Sequence, residues 1–337
     1  MYQSFYGLRE LPFELTPNPK YLFLSARHRE ALSNLQYGIT ARRGITLLVG
    51  EAGTGKTTLV RAALGLVGRD ARCVYLNNPT LTRAEFVEFL AHEFGLCEAA
   101  RRSKTALLTD LERLLTERLA AGVPSALLID EAQSLPHELL EEVRLLANME
   151  TATDKLLPVV LAGQPELADR LNEPSLRQLK QRVALRCDLI PLKLQETAAY
   201  IAVRLELAGG RCSEIFAREA VEAIHARSSG IPRTISVICD NALIAGFADD
   251  RRPVDRKIVL DVCRQLDFGP GDLISPAPRP SASGASAHPS RRLVVGTDTP
   301  AARAAPLGYP TGKAETTTAA AGGMFGSFGR RRRFSSS

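Results

Sequence analysis

Short apolar runs recur along the first two hundred positions, separated by longer stretches whose apolar residues repeat every three or four positions. The short runs are Ile45 to Val49, Cys73 to Leu76, Ala126 to Ile129, Pro158 to Ala162 and Cys187 to Ile190, and their length and β-branched content predict buried strands. Around them, Ser25 to Tyr37, Thr58 to Leu64, Phe86 to Phe94, Leu107 to Leu119 and Glu138 to Glu150 predict helices; the last repeats Leu139, Val143, Leu146 and Met149 along one side. Thr82 with Glu85 three residues on predicts a capping box that opens the third of these. Strands alternating with helices predict an α/β domain whose mostly parallel sheet is covered on both faces.

The strand signal stops near Gln195. Gln195 to Leu207, Ile215 to Arg227, Pro232 to Ala248 and Asp255 to Leu266 all predict helices, a small all-helical second domain. At the other end, Leu11 to Pro19 is punctuated by proline and reads as extended chain. The expected plan is therefore a lead with one helix over 1–44, an α/β domain over 45–194, a helical domain over 195–268 and a tail over 269–337. The tail turns to Pro, Ser, Ala, Gly and Thr, buries too little apolar surface to offset its ordering entropy, and is expected to be disordered.

One segment carries specific chemistry. Gly50, Glu51, Ala52, Gly53, Thr54, Gly55, Lys56 and Thr57 fit G-x-x-x-x-G-K-[ST], between a predicted strand and a predicted helix that continues through Thr58. Its glycines let the backbone curl so that successive N–H groups point at phosphate oxygens, and the helix N-terminus adds its positive dipole. Lys56 is placed to reach the β- and γ-phosphates and Thr57 to bind Mg²⁺. About 75 residues later the run Ala126 to Ile129 ends in Asp130 and Glu131. A carboxylate at the end of a strand beside a phosphate loop is where Mg²⁺ is held, through water, which assigns Asp130; Glu131 is then the general base for an attacking water. The pair argues for hydrolysis of a nucleotide as well as binding.

Such a site needs three further groups. Gln164, just past Gly163, is the candidate for orienting the water. Arg182, with Arg177 as the fallback, is the candidate cation supplied to a neighbouring subunit's site. Arg233 follows Pro232, which suits a first helical turn, and would project from the helical domain to tell ATP from ADP.

Charge changes this picture less than the net +6 of the 337 residues suggests. From residue 271 on, nine basic residues stand against three acidic ones, so the tail carries the excess and the rest is balanced. No apolar run is long enough for a membrane-spanning helix, the N-terminus lacks a signal-peptide layout, and six scattered cysteines without a C-x-x-C pair point to reduced thiols in the cytoplasm. Arg330, Arg331, Arg332 and Arg333, flanked by Phe325, Phe328 and Phe334, could contact nucleic-acid phosphates and stack on bases, or touch anionic lipid weakly.

Taken in order, Met1 to Leu8, Pro12 to Pro17, Gly50 to Thr58, Ile129 to Gln133, Glu142 to Glu150, Gly163 to Leu167 and Gly230 to Arg233 resemble the AAA+ ATPases, and among them the secretion ATPases of the general secretion pathway protein A type, over about residues 1–268. The resemblance implies a P-loop fold with a five-stranded sheet and a helical lid, ATP hydrolysis in a homo-oligomer, and a role with components of an envelope secretion or export complex. Longer members carry a membrane span and a periplasmic peptidoglycan-binding domain; neither is seen here, so the expectation is a soluble ATPase on the cytoplasmic side, at most peripheral to the inner membrane. The alternatives are a DNA-associated ATPase of the transposition-regulator kind and an ATP-dependent switch with little turnover, against which Glu131 argues.

Overall fold

A computed structural model describes residues 1–15, 19–68, 70–77 and 79–268. The chain begins with α1 (Tyr2–Tyr6) and α2 (Ala26–Thr40), then β1 (Ile45–Gly50), α3 (Lys56–Leu66) and β2 (Arg72–Leu76). Helices α4 (Arg83–Phe94), α5 (Glu98–Arg102) and α6 (Lys104–Ala120) lead to β3 (Ser125–Ile129), α7 (His137–Ala147) and β4 (Val159–Gly163). Two short helices, α8 (Pro165–Leu171) and α9 (Arg177–Lys180), precede β5 (Val183–Leu189). The remainder is helical: α10 (Leu194–Leu207), α11 (Cys212–Ile215), α12 (Arg218–Ser228), α13 (Pro232–Ala248) and α14 (Arg256–Gln265).

The strands form one parallel sheet in the order β2-β3-β4-β1-β5. Because side chains alternate faces along a strand, each apolar run feeds two cores at once. Leu47, Leu127 and Leu161 face a core closed by α4, α6 and α7 through Leu90, Leu111 and Val143. Leu48, Leu128 and Val160 face the other, closed by Leu35 and Ile39 of α2 and Leu59 of α3. Burying a leucine such as Leu35 or Leu48 completely contributes roughly 1.5–3 kcal/mol. The central strands β1, β3 and β4 are buried at every position, as continuous apolar runs require, whereas the edge strand β5 alternates. That alternation explains why the sequence places β5 at Cys187 to Ile190: only Cys187 and Leu189 are fully buried, and the strand begins earlier, at Val183.

Local signals set several helix ends. Thr82 Oγ1 accepts the Glu85 N–H at 3.3 Å while the Glu85 carboxylate accepts the Thr82 N–H at 2.7 Å, the capping box expected there. Asp255 caps α14 through the Ile258 N–H at 2.9 Å. The helix expected to reach Glu150 ends at Ala147, since Glu150 leaves it to bridge Lys155. The helix expected over Ile215 to Arg227 is two, broken where Phe216 pairs with Val254.

The lead expected over residues 1–44 is not one element. Its start is helix α1, and Tyr2, Tyr6, Leu8 and Phe13 join the core of α10, α12, α13 and α14, with the Tyr2 hydroxyl donating to Asp240. Helix α2 packs instead on the sheet. On the helical side, Arg204 Nη1 of α10 donates to the Pro12 carbonyl at 2.7 Å. Among the described residues no helix is long and apolar enough to cross a membrane. The tail expected to be disordered over 269–337, with Arg330 to Arg333, lies outside the described residues.

Candidate functional site

The segment between β1 and α3 forms a loop at the C-terminal end of the sheet. Gly53 (φ 81°) and Gly55 (φ 101°) hold left-handed backbone that a side chain resists, and a Cβ on Gly53 would lie 2.8 Å from Cβ of Arg233. Thr54 Oγ1 donates to the Glu51 carbonyl at 2.8 Å and closes the loop on itself. Lys56, the first residue of α3, is buried, and its ammonium folds back onto the carbonyls of Gly50 (2.8 Å) and Glu51 (3.0 Å). Burial pushes that ammonium below its usual pKa, while the neighbouring Glu131, Asp130 and Glu51 push it back up.

The second motif meets the first. Thr57 Oγ1 donates to Asp130 Oδ2 at 2.6 Å across 73 residues of sequence. The Tyr75 hydroxyl at the end of β2 donates to the same oxygen at 3.0 Å, and the Glu131 N–H donates to Asp130 Oδ1 at 3.0 Å. A hydroxyl and a carboxylate at contact distance form the hard oxygen donor set that Mg²⁺ takes together with water and phosphate oxygens. Asp130 itself is fully buried. Glu131 stands just beyond β3 in left-handed backbone (φ 50°) and lines the cleft beside Lys56.

Not every expected residue comes to this cleft. Arg233 does: it lies in the first turn of α13 behind Pro232, its N–H donates to the Gly53 carbonyl at 3.2 Å, and it lines the cleft. Gln164 is one residue beyond the Val49–Gly163 strand pair, beside the start of the loop, and its N–H donates to Gln133 Oε1 at 3.1 Å. Arg182 is at the opposite end of the sheet, where its carbonyl accepts the Ile45 N–H at 3.2 Å. The length of β1, about 16 Å, separates it from the loop, so it cannot serve its own cleft. Arg177 begins α9 on the same side, and both arginines are exposed.

Three contributors have no role that their place in the sequence announces. Buried His28 of α2 must donate its Nε2–H to the Thr54 carbonyl (2.9 Å), since a carbonyl only accepts, while its Nδ1 meets the Ser25 hydroxyl at 2.7 Å. Gln133 donates to Glu131 Oε2 at 2.6 Å. Beyond the loop, the cleft of about 400 Å³ opens against Tyr21, Phe23, Tyr200 and Arg204. The Arg204 guanidinium lies 5.2 Å from the Tyr21 ring centre and 5.0 Å from that of Tyr200. Only a lone His in a helix, or a Gln two residues past Glu131, marks the first two in the sequence, and neither spacing says what the side chain reaches.

Residues 39–171 match the AAA domain family. The chain is 48% identical over 250 residues to general secretion pathway protein A of Aeromonas hydrophila, covering 74% of this chain and 45% of that protein. It is 27% identical over 183 residues to the Mu-like prophage FluMu DNA transposition protein B of Haemophilus influenzae, covering 52% of this chain and 58% of that one. The chain thus spans about half the length of the curated relatives it matches. Among solved structures, the ORC2 protein of Aeropyrum pernix in its ADPNP–ADP complexes aligns with a TM-score of 0.56 at 18% identity, covering 75% of this chain and 71% of that one. That likeness is one of fold. The architecture is an AAA+ P-loop fold, and the resemblance to the general secretion pathway protein A type extends over three quarters of the chain.

Proposed function

We propose that this chain hydrolyses ATP in an Mg²⁺-dependent reaction, acting as a homo-oligomer that drives or regulates assembly of an envelope secretion or export complex from the cytoplasmic side. The observation that carries the chemistry is the 2.6 Å contact between Thr57 and Asp130 with Glu131 next in the chain. ATP would enter with its phosphates on the N–H groups of Gly53 to Thr58, and Lys56 would exchange the carbonyls of Gly50 and Glu51 for phosphate oxygens. Thr57 and Asp130 would hold Mg²⁺, which neutralises charge on the phosphates. Glu131 accepts a proton from the attacking water, Gln164 orients that water, and ADP leaves with the electrons of the broken P–O bond. Arg233 would contact the γ-phosphate from the helical side, and Arg182 would complete the site of a neighbouring copy.

The role in secretion rests on the relative from Aeromonas hydrophila, of which this chain covers under half. A trans contribution makes specific activity rise with protein concentration, and Arg182→Ala subunits mixed into the unmodified protein should lower activity by more than their share. Specific activity independent of concentration across the oligomerisation range overturns the oligomeric reading. A second reading, DNA-associated action, is favoured by the likeness to a DNA transposition protein and by the arginines at 330–333. DNA binding that falls steeply with salt and disappears when 325–337 are removed would support it.

A further inference from the structure

Gln133 has three separate links, each to a different part of the site. Its side-chain Nε2–H donates to Glu131 Oε2 at 2.6 Å, and its side-chain Oε1 accepts the Gln164 N–H at 3.1 Å. Its main-chain carbonyl accepts Arg170 Nη1 of α8 at 2.6 Å, and the same Nη1 holds the Leu135 carbonyl at 2.8 Å. The amide's orientation is fixed by its partners: the carboxylate can take only the NH₂ end and the backbone N–H only the oxygen. Space for it is built in as well, since a Cβ on Gly163 would come within 2.9 Å of Gln133 Oε1.

We infer that Gln133 is a positioning residue that keys Glu131 to the end of β4. This rests on the hydrolysis reading above. Glu131 sits alone in left-handed backbone after β3, with Asp130 committed to Thr57 and Tyr75. Among the described residues Gln133 supplies the side-chain hydrogen bond that fixes where the Glu131 carboxylate points. Because the same amide holds the Gln164 N–H, the Glu131 carboxylate and the main chain that carries Gln164 are tied to one planar side-chain group. The Arg170 clamp ties the main chain that carries Gln133 to α8.

Two variants of the full chain separate the two ends of the amide. Gln133→Ala removes both links, whereas Gln133→Glu keeps an acceptor for the Gln164 N–H and sets a second carboxylate against Glu131 in place of the donor. We expect both to lower kcat between about tenfold and a hundredfold, the range that misplacing a reacting group costs, with the Kd of ATP changed less than about twofold. Hydrogen exchange of the Gln164 amide in nucleotide-free protein should speed up in Gln133→Ala and stay slow in Gln133→Glu. A kcat equal to or above that of the unmodified protein in both variants overturns the role, as does a loss tracked by ATP affinity or melting temperature alone. Absence of turnover in the unmodified protein overturns the hydrolysis reading, and this role with it. That failure is distinguishable because the first pattern requires an active parent.

Discussion

The cleft has two halves made in different ways. Its phosphate half is one continuous piece of chain, Gly50 to Thr58, whose geometry follows from glycine conformations and the start of α3, together with the end of β3 directly opposite. Its other half is assembled from Tyr21 and Phe23 of the N-terminal segment and Tyr200 and Arg204 of α10, nearly two hundred residues apart in the chain. The first half is shaped by backbone N–H groups that any sequence with those glycines presents. The second is shaped by side chains and depends on α1 and its following segment packing into the helical core. A backbone-built site is legible in a sequence because its residue types and spacing are the geometry, whereas a site built from packed side chains is legible only once the packing is known.

Substitutions should separate the halves, beginning with the largest effect. Lys56→Ala removes the buried cation of the phosphate half and should weaken ATP, ADP and inorganic triphosphate alike, by about 2–5 kcal/mol, as loss of one member of a desolvated charge pair does. Equal binding of all three by Lys56→Ala and the unmodified protein, measured calorimetrically, would break the division at its stronger side. Leu35→Ala removes a fully buried side chain from the core beneath the loop and should cost about 2–5 kcal/mol of folding stability by denaturant titration. Arg204→Ala should weaken ATP by about 0.5–2 kcal/mol, the range of an arginine stacked on aromatic rings, yet leave inorganic triphosphate unaffected. If triphosphate weakens equally, Arg204 acts on the phosphate half and the two halves are not separable. Smallest is Thr82→Ala, which removes the α4 cap away from the cleft and should cost about 1 kcal/mol of stability with nucleotide affinity unchanged.

The same contrast explains what the sequence showed and what it hid. The central strands are continuous apolar runs buried on both faces, so their positions are readable to within a residue; β5 lies at an edge, alternates, and starts four residues before the run that marks it. Thr82 and Glu85 form their box through contacts three residues apart, which spacing alone specifies. Tyr2 to Tyr6 offers no such local signal, and its helix is stabilised by packing against α13. Within the site, Lys56, Thr57, Asp130 and Glu131 are marked by motif, and the structure brings them together. Gln133 and His28 are ordinary polar residues whose partners, Gln164 and Thr54, are remote in sequence. Arg182 is a different case: its place at the far end of β1 denies it to its own cleft, and the role proposed for it would need a second copy.

If Glu131, held beside the Thr57–Asp130 pair, takes the proton from water during ATP hydrolysis, its loss must slow the chemistry and spare binding. This is tested most directly by measuring ATP affinity and single-turnover hydrolysis on the same preparation of Glu131→Gln, beside the unmodified protein. Unchanged or tighter ATP binding is expected, with hydrolysis slowed by about 10²–10⁴. Hydrolysis by Glu131→Gln at the unmodified rate, with ATP bound equally well, would contradict it.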